Sequence, residues 1–169
     1  LKELIRTGLV RKNGAFVKKE NIPEEDYRYP MIRMNGKKRE FLICEAPELV
    51  VTQGDIRQVQ LAKGAILSGF LALLNKAGIS MKELDKVMIA GQFGAHLPSE
   101  SLTGTGILPK EVEDKIIYVG NSSKTGAYMT LLSEQVKEEM EGLAERMEYI
   151  ELAETENYEK IFAESMRFV

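Results

Sequence analysis

The sequence predicts an α/β fold, and three observations predict it. An Asn-Gly pair, Asn35-Gly36, lies between two extended runs, Met31–Met34 and Arg39–Cys44. From Thr52 onward the apolar spacing changes to that of a helix. Further on, two short apolar runs, Val87–Ala90 and "IIYVG" at Ile116–Gly120, each run into glycine and then into new sequence patterns.

Taken in order, Leu1 to Thr7 reads as a short helix stopped at Gly8. Arg11 to Asp26 is polar and turn-rich, with Asn13-Gly14 and Pro23, and reads as loop. Asn-Gly between extended runs is a strong hairpin signal, because both residues tolerate positive φ. Leu49–Thr52 adds a third, β-branched strand, which makes a small antiparallel meander.

Thr52 can cap the helix that follows, with Asp55 three residues on as a capping-box variant. Ile56, Val59, Ala62/Lys63, Ile66, Phe70 and Leu73/Leu74 recur at helical spacing, and Gly78 ends the helix. Gly64, Ala65, Ser68, Gly69 and Ala72 are small, so another backbone can come close, the sheet being the expected neighbour.

A strand at Lys86–Ala90 leads into a glycine-rich stretch, and Ile116–Gly120 is the next strand. A long helix is expected from Ser123 to Arg146, with Tyr128, Leu132, Val136, Met140, Leu143 and Met147 as its stripe. Tyr149–Leu152 reads as a short strand or extended link. Asn157 to Phe168 reads as a closing helix with Tyr158, Ile161, Phe162 and Ser165/Met166 on one side. Strand–helix–strand crossovers imply parallel strands. A meander followed by such crossovers gives a mixed sheet with flanking helices, as in the ribonuclease H-like arrangement. A single domain over 1–169 is expected, with 1–30 as a helix and polar lead-in and 147–169 as a helical tail. The first residue is Leu, in mid-helix, so the chain is read as the C-terminal fragment of a longer protein.

Composition excludes several classes. Apolar residues make up 44% and charged residues 29% of the 169, ordinary values for a globular domain. With 23 basic and 26 acidic residues the net charge is −3, which offers no basic footprint for nucleic acid. The longest mainly apolar region, Ala65–Leu74, is too short to cross a membrane, and a cytoplasmic location is the default expectation. The single cysteine, Cys44, supports neither an internal disulfide nor a four-thiolate site, and it is read as a buried strand residue.

Ligand chemistry is expected at "AGQFGAH" and "VGNSSKTGA", since ligands of open α/β sheets sit beyond the carboxyl ends of the strands. Helix N-termini there offer amides and a positive dipole end to phosphates. Gly91 and Gly94 leave room for a ligand to approach the backbone. A plain turn at these glycines and a plain helix cap at Asn121-Ser122-Ser123 are the competing readings. Gly126 permits a close helix–sheet contact. Neither loop fits a Walker A or dinucleotide fingerprint. His96 lacks metal-spaced partners and reads as a helix-entry or packing residue. Phe93 reads as core, with base stacking as the alternative. Arg57, Gln60 and Gly64 share a helix face that is either ligand-facing or solvated.

The ordered set "VTQGDIRQVQLAKGAI" (Val51–Ile66), "VMIAGQFGAHL" (Val87–Leu97), "GILP" (Gly106–Pro109) and "GNSSKTGA" (Gly120–Ala127) closely resembles the C-terminal region of the reductive activators of corrinoid proteins. The opening "ELIRTGLVRKNGAF" and the tail fit too, so the resemblance covers nearly the whole chain. It implies a plant-type [2Fe-2S] ferredoxin domain joined to a domain of the actin, sugar kinase and heat-shock chaperone superfamily. It also implies use of ATP and Mg2+ to return a corrinoid methyl-carrier protein from cob(II)alamin to cob(I)alamin. This chain is then one half of an actin-like ATPase domain. "IAGQFGAHL" takes the place of the adenosine motif, with Gly91, Gln92 and Gly94 lining the nucleotide and Arg57, Gln60 and Lys63 as further candidates. No catalytic or metal residue is assigned.

The chain departs from the family where activity is concerned. The four cluster cysteines, the Asp-Ile-Gly-Thr-Asn phosphate loop and a Gly-Ser-Gly stretch are absent from it, and Gln92 stands where a second glycine is common. The fragment alone is therefore expected to be inactive, and whether it acts as an enzyme is open. A non-catalytic docking module for a corrinoid protein and a kinase-like member of the superfamily are the alternatives. A homodimer is left open.

Overall fold

The computed structural model describes residues 1–91 and 94–169. A short helix α1 (Lys2–Arg6) leads through a loop into strands β1 (Ile32–Asn35), β2 (Lys38–Cys44) and β3 (Leu49–Thr52). Helix α2 (Gln53–Ala77) follows, then β4 (Val87–Ala90), α3 (Ser99–Thr105), β5 (Ile116–Gly120), α4 (Ser122–Leu132), α5 (Glu134–Ala144) and α6 (Tyr158–Ser165). The α/β class is as expected. The strands lie in two sheets, an antiparallel β1-β2-β3 meander and a parallel β4-β5 pair.

The hairpin forms where Asn35-Gly36 indicated, one residue later in detail. Asn35 pairs with Lys38, so the two-residue loop is Gly36-Lys37. Gly36 takes φ +60° at the first loop position, the pattern of a II′ turn.

Helix α2 starts and stops as read. The Thr52 side chain accepts from the Asp55 amide at 3.2 Å, and the Asp55 carboxylate accepts from the Thr52 amide at 2.8 Å, a complete capping box. The Thr52 amide first, and then the Thr52 hydroxyl, which donates to the same carboxylate at 2.8 Å, hold the Asp55 carboxyl below its usual range. Gly78 closes the helix at φ +65°.

The buried face of α2 is not the large-residue stripe. It runs Ile56, Gln60, Lys63, Gly64, Ser68 and Ala72, whereas Ile66 and Leu73 are exposed. The reason is α6, which packs on this face. A Cβ on Gly64 would come within 2.7 Å of Met166 Cγ, so the small stripe admits the tail helix rather than the sheet.

The expected long helix is two. Ser133 leaves the helical region at φ −145°, and its hydroxyl accepts from the Val136 amide at 3.3 Å, capping α5. Gly126 accordingly faces Met140 of α5 rather than the sheet. Tyr149–Leu152 is not a strand. Cys44 is exposed at the end of β2, not buried.

The described residues form two cores. One gathers Leu4, Leu9, Val10, Phe16, Ile32, Ile56 and Phe168, so the opening segment packs with the meander and the last residues of the chain. The other, around Leu102, Leu108 and Val112, lies against Val87, Ile89 and Ile116 of the parallel pair and positions its two glycine loops.

Candidate functional site

Strands β4 and β5 run parallel, so their carboxyl ends, and the loops leaving them, lie side by side. Val87 pairs with Ile116 and Ile89 with Tyr118, and then the register shifts so that Ala90 pairs with Gly120. This irregularity falls where both strands end, and bulges of this kind re-aim the chain.

Each strand exits through a glycine in the left-handed region, Gly91 at φ +98° and Gly120 at φ +65°. The Gly91 amide donates to the Gly120 carbonyl at 2.7 Å and ties the loops together. Among the described residues, its chain neighbours aside, no atom lies within 4 Å of where a Cβ on Gly91 would stand. Gly91 is thus held in a glycine-favouring conformation with no described residue against it, as a backbone approached by a ligand requires.

The second loop carries Asn121, whose side chain accepts from the Lys124 amide at 3.0 Å and caps α4. The cap reading of this asparagine is correct. Ser122, Ser123 and Lys124 are exposed in the first turn of α4. The helix dipole and the Lys124 ammonium give this end a positive character suited to an anion.

The candidate residues separate into two places. Gly91 is in the loop pair. Gly94 is close to it, but a Cβ there would fall 2.6 Å from Ile89 Cγ2, so its lack of a side chain serves packing on β4. Gln92 and Phe93 lie outside the described residues. His96 is exposed in the short turn Gly94–His96.

Arg57 is exposed on α2. Gln60 and Lys63 are buried and turned toward the tail. Gln60 Nε2 donates to the Met166 carbonyl at 3.2 Å, and Lys63 Nζ to the Ser165 carbonyl at 2.5 Å. Burial pushes the Lys63 ammonium below its ordinary pKa. The geometry gives these two residues a clear role in docking α6. Gly120 was missed as a site residue, although a glycine closing an apolar strand was its visible signal.

The open backbone at Gly91 and the amide-bearing start of α4 fit the adenosine end or a phosphate oxygen of a nucleotide. Among the described residues no three His, Cys, Asp or Glu side chains come together as a metal site. A [2Fe-2S] cluster takes four protein ligands, and the sequence has one cysteine. No helix among the described residues is long and apolar enough to cross a membrane.

Residues 1–169 match the family described as the C-terminal domain of RACo, the ASKHA domain. The chain is 33% identical over 143 residues to the corrinoid activation enzyme RamQ of Eubacterium limosum, covering 78% of this chain and 23% of that protein. It is 23% identical over 130 residues to the Co(II) methylated amine-specific corrinoid protein reductase of Methanosarcina barkeri, covering 76% of this chain and 23% of the relative. Among solved structures, a reductive activator for corrinoid, iron-sulfur protein superposes with a TM-score of 0.83 at 28% identity, over 99% of this chain and 26% of that one. The chain thus spans 23% of the length of each curated relative. With the match running over its whole length, the chain belongs to the family of the C-terminal ASKHA domain of RACo.

Proposed function

We propose that this chain is the C-terminal nucleotide-binding portion of an ATP-dependent reductive activator of a corrinoid protein. The observation that carries the reading is the Gly91–Gly120 pair, which joins two loops at the carboxyl ends of parallel strands and leaves the Gly91 backbone uncovered by the described residues. Gly91 lines the adenosine end and Gly94 shapes its turn; Gln92, next to Gly91 in sequence, is a further candidate. Arg57 is exposed on α2 and remains a further candidate. Gln60 and Lys63 act indirectly, by fixing α2 to α6.

In the whole protein, binding of ATP would be coupled to the one-electron reduction of cob(II)alamin to cob(I)alamin, with the electron supplied by a reductant outside these 169 residues. The residues of this chain are assigned neither to electron transfer nor to the metal. They bind and orient the nucleotide and close one side of its cleft. The names of the relatives support a corrinoid protein as partner.

The test uses the full-length protein with a reduced electron donor and the corrinoid protein. Cob(I)alamin formation, followed by its absorbance, is expected to require ATP and to fall in a Gly91→Val variant that still binds the corrinoid protein. Equal reduction with and without ATP overturns the reading. Corrinoid binding without any nucleotide binding supports the docking-module alternative.

A further inference from the structure

The parallel pair β4-β5 is half covered. Val87 and Ile89, opposite Ile116 and Tyr118, face the core around Leu102, Leu108 and Val112. The other face carries Met88, Ala90, Ile117 and Val119. Met88 is 65% exposed and Val119 39%, and Ala90 is exposed as well. Among the described residues the sheet has two strands.

Physics disfavours leaving it so. Parallel sheets occur almost only with both faces covered, and their strands read as unbroken apolar runs. "VMIA" and "IIYV" are such runs, without the polar alternation of a strand wetted on one face. A two-stranded sheet is also marginal by itself. The sequence of the strands and their exposure therefore disagree, and the disagreement calls for an occupant.

We infer that the Met88–Val119 face is covered by residues of the same polypeptide outside these 169, packed permanently on β4 and β5. Two observations select this occupant over a second copy or a passing partner. The matched relatives carry most of their length elsewhere, since the chain spans 23% of the curated ones and 26% of the solved one. The face also belongs to the strands that hold the Gly91–Gly120 loops, and a cover that came and went would leave those strands marginal between encounters. The inference concerns packing alone and stands whether or not the loops take a nucleotide.

The experiment uses the full-length protein and needs no ATP. Unmodified protein is exposed to a microsecond pulse of hydroxyl radicals, and methionine oxidation is read by mass spectrometry. Oxidation follows exposure, so Met88 should react at least about tenfold more slowly than Met34, which is 58% exposed on the hairpin. The protection should persist on dilution. In parallel, p-benzoylphenylalanine at position 88 is photolysed in a mixture of isotopically heavy and light protein. Cross-links are expected within one molecule, to residues outside the 169. Oxidation of Met88 as fast as Met34, protection lost on dilution, or cross-links joining heavy to light chains would each overturn the inference.

Discussion

Lys63 Nζ donates to the Ser165 carbonyl at 2.5 Å, across 102 residues of sequence. Ser165 is the last residue of α6, so a buried ammonium sits at the negative end of that helix and bonds one of its orphan carbonyls. Lys63→Ala removes the bond and leaves a cavity, at a cost of about 2–4 kcal/mol. Lys63→Met keeps the volume and discards the desolvated charge, so it should cost about 1 kcal/mol or less. Urea midpoints at pH 7 check the order. Equal losses in the two variants would mean that the charge, not the volume, holds the tail.

The same lysine gives a pH signature. Its pKa lies below 10.5 in the folded protein because burial penalises the charged form. Between the lowered value and 10.5 the unfolded chain binds more protons, so folding stability rises with pH through that window. The desolvation penalty is fully present below the folded pKa and gone above 10.5. Lys63→Met should lack this alkaline rise, and urea midpoints at stepped pH from 7 to the alkaline side decide it.

Local signals were legible, and distant ones were not. The hairpin at Asn35-Gly36, the Thr52–Asp55 box and the stop at Gly78 are set by residues within a few positions of one another, so sequence carries them. The α4–α5 break was hidden because Tyr128, Leu132, Val136 and Met140 keep helical spacing straight through Ser133. Gln60 read as ligand-facing or solvated, and the resemblance made Lys63 a ligand candidate, because their true neighbours, Met166 and Ser165, are about a hundred residues away in sequence. At the site, the glycines were visible, but no spacing rule says that Gly91 and Gly120 are bonded, since that depends on the register of β4 with β5.

An acid-side prediction concerns Asp26. Its carboxylate accepts from the Arg28 side chain, with distances of 2.5 to 3.1 Å, and from the Arg28 amide at 2.9 Å, which lowers its pKa to about 2. Arg28 also reaches the Thr7 carbonyl at 3.3 Å, pinning the loop to the end of α1. The folded pKa is depressed, so the contribution is complete above 3.8 and fades as pH falls toward about 2. Asp26→Asn should flatten that part of the acid limb. An unchanged limb in the variant would assign acid lability to other carboxylates.

Gly64 tests the α2–α6 contact sterically. A Cβ there would meet Met166 Cγ at 2.7 Å and Phe162 Cε2 at 3.4 Å. Gly64→Ala gains helix propensity of about 1 kcal/mol but must displace Met166. Gly64→Val adds bulk and should lose about 1–3 kcal/mol through overpacking. Increased proteolysis after Asn157 together with a lower melting temperature in Gly64→Val would show that the tail has lifted. Unchanged melting in the valine variant would mean that α6 is not seated there.

The last prediction separates the two loop glycines. At Gly91 a new Cβ meets no described residue beyond its chain neighbours within 4 Å, but the backbone sits at φ +98°, so Gly91→Ala carries strain of about 1–3 kcal/mol and no collision with the described residues. At Gly94 the new Cβ strikes Ile89 Cγ2, a branch held close to the strand backbone that cannot swing aside as a long side chain would. Gly94→Ala should therefore lower the melting temperature, with nucleotide affinity falling only as the fold does. Gly91→Ala should weaken ATP binding by about tenfold or more, roughly 1.4 kcal/mol, beyond what its change in stability explains, because its Cβ occupies space left for the ligand. Calorimetric titration with Mg-ATP and thermal melting of both variants of the full-length protein read the two effects together. Should Gly91→Ala lose affinity only in step with its melting temperature, the loop pair is a turn and the nucleotide is held elsewhere.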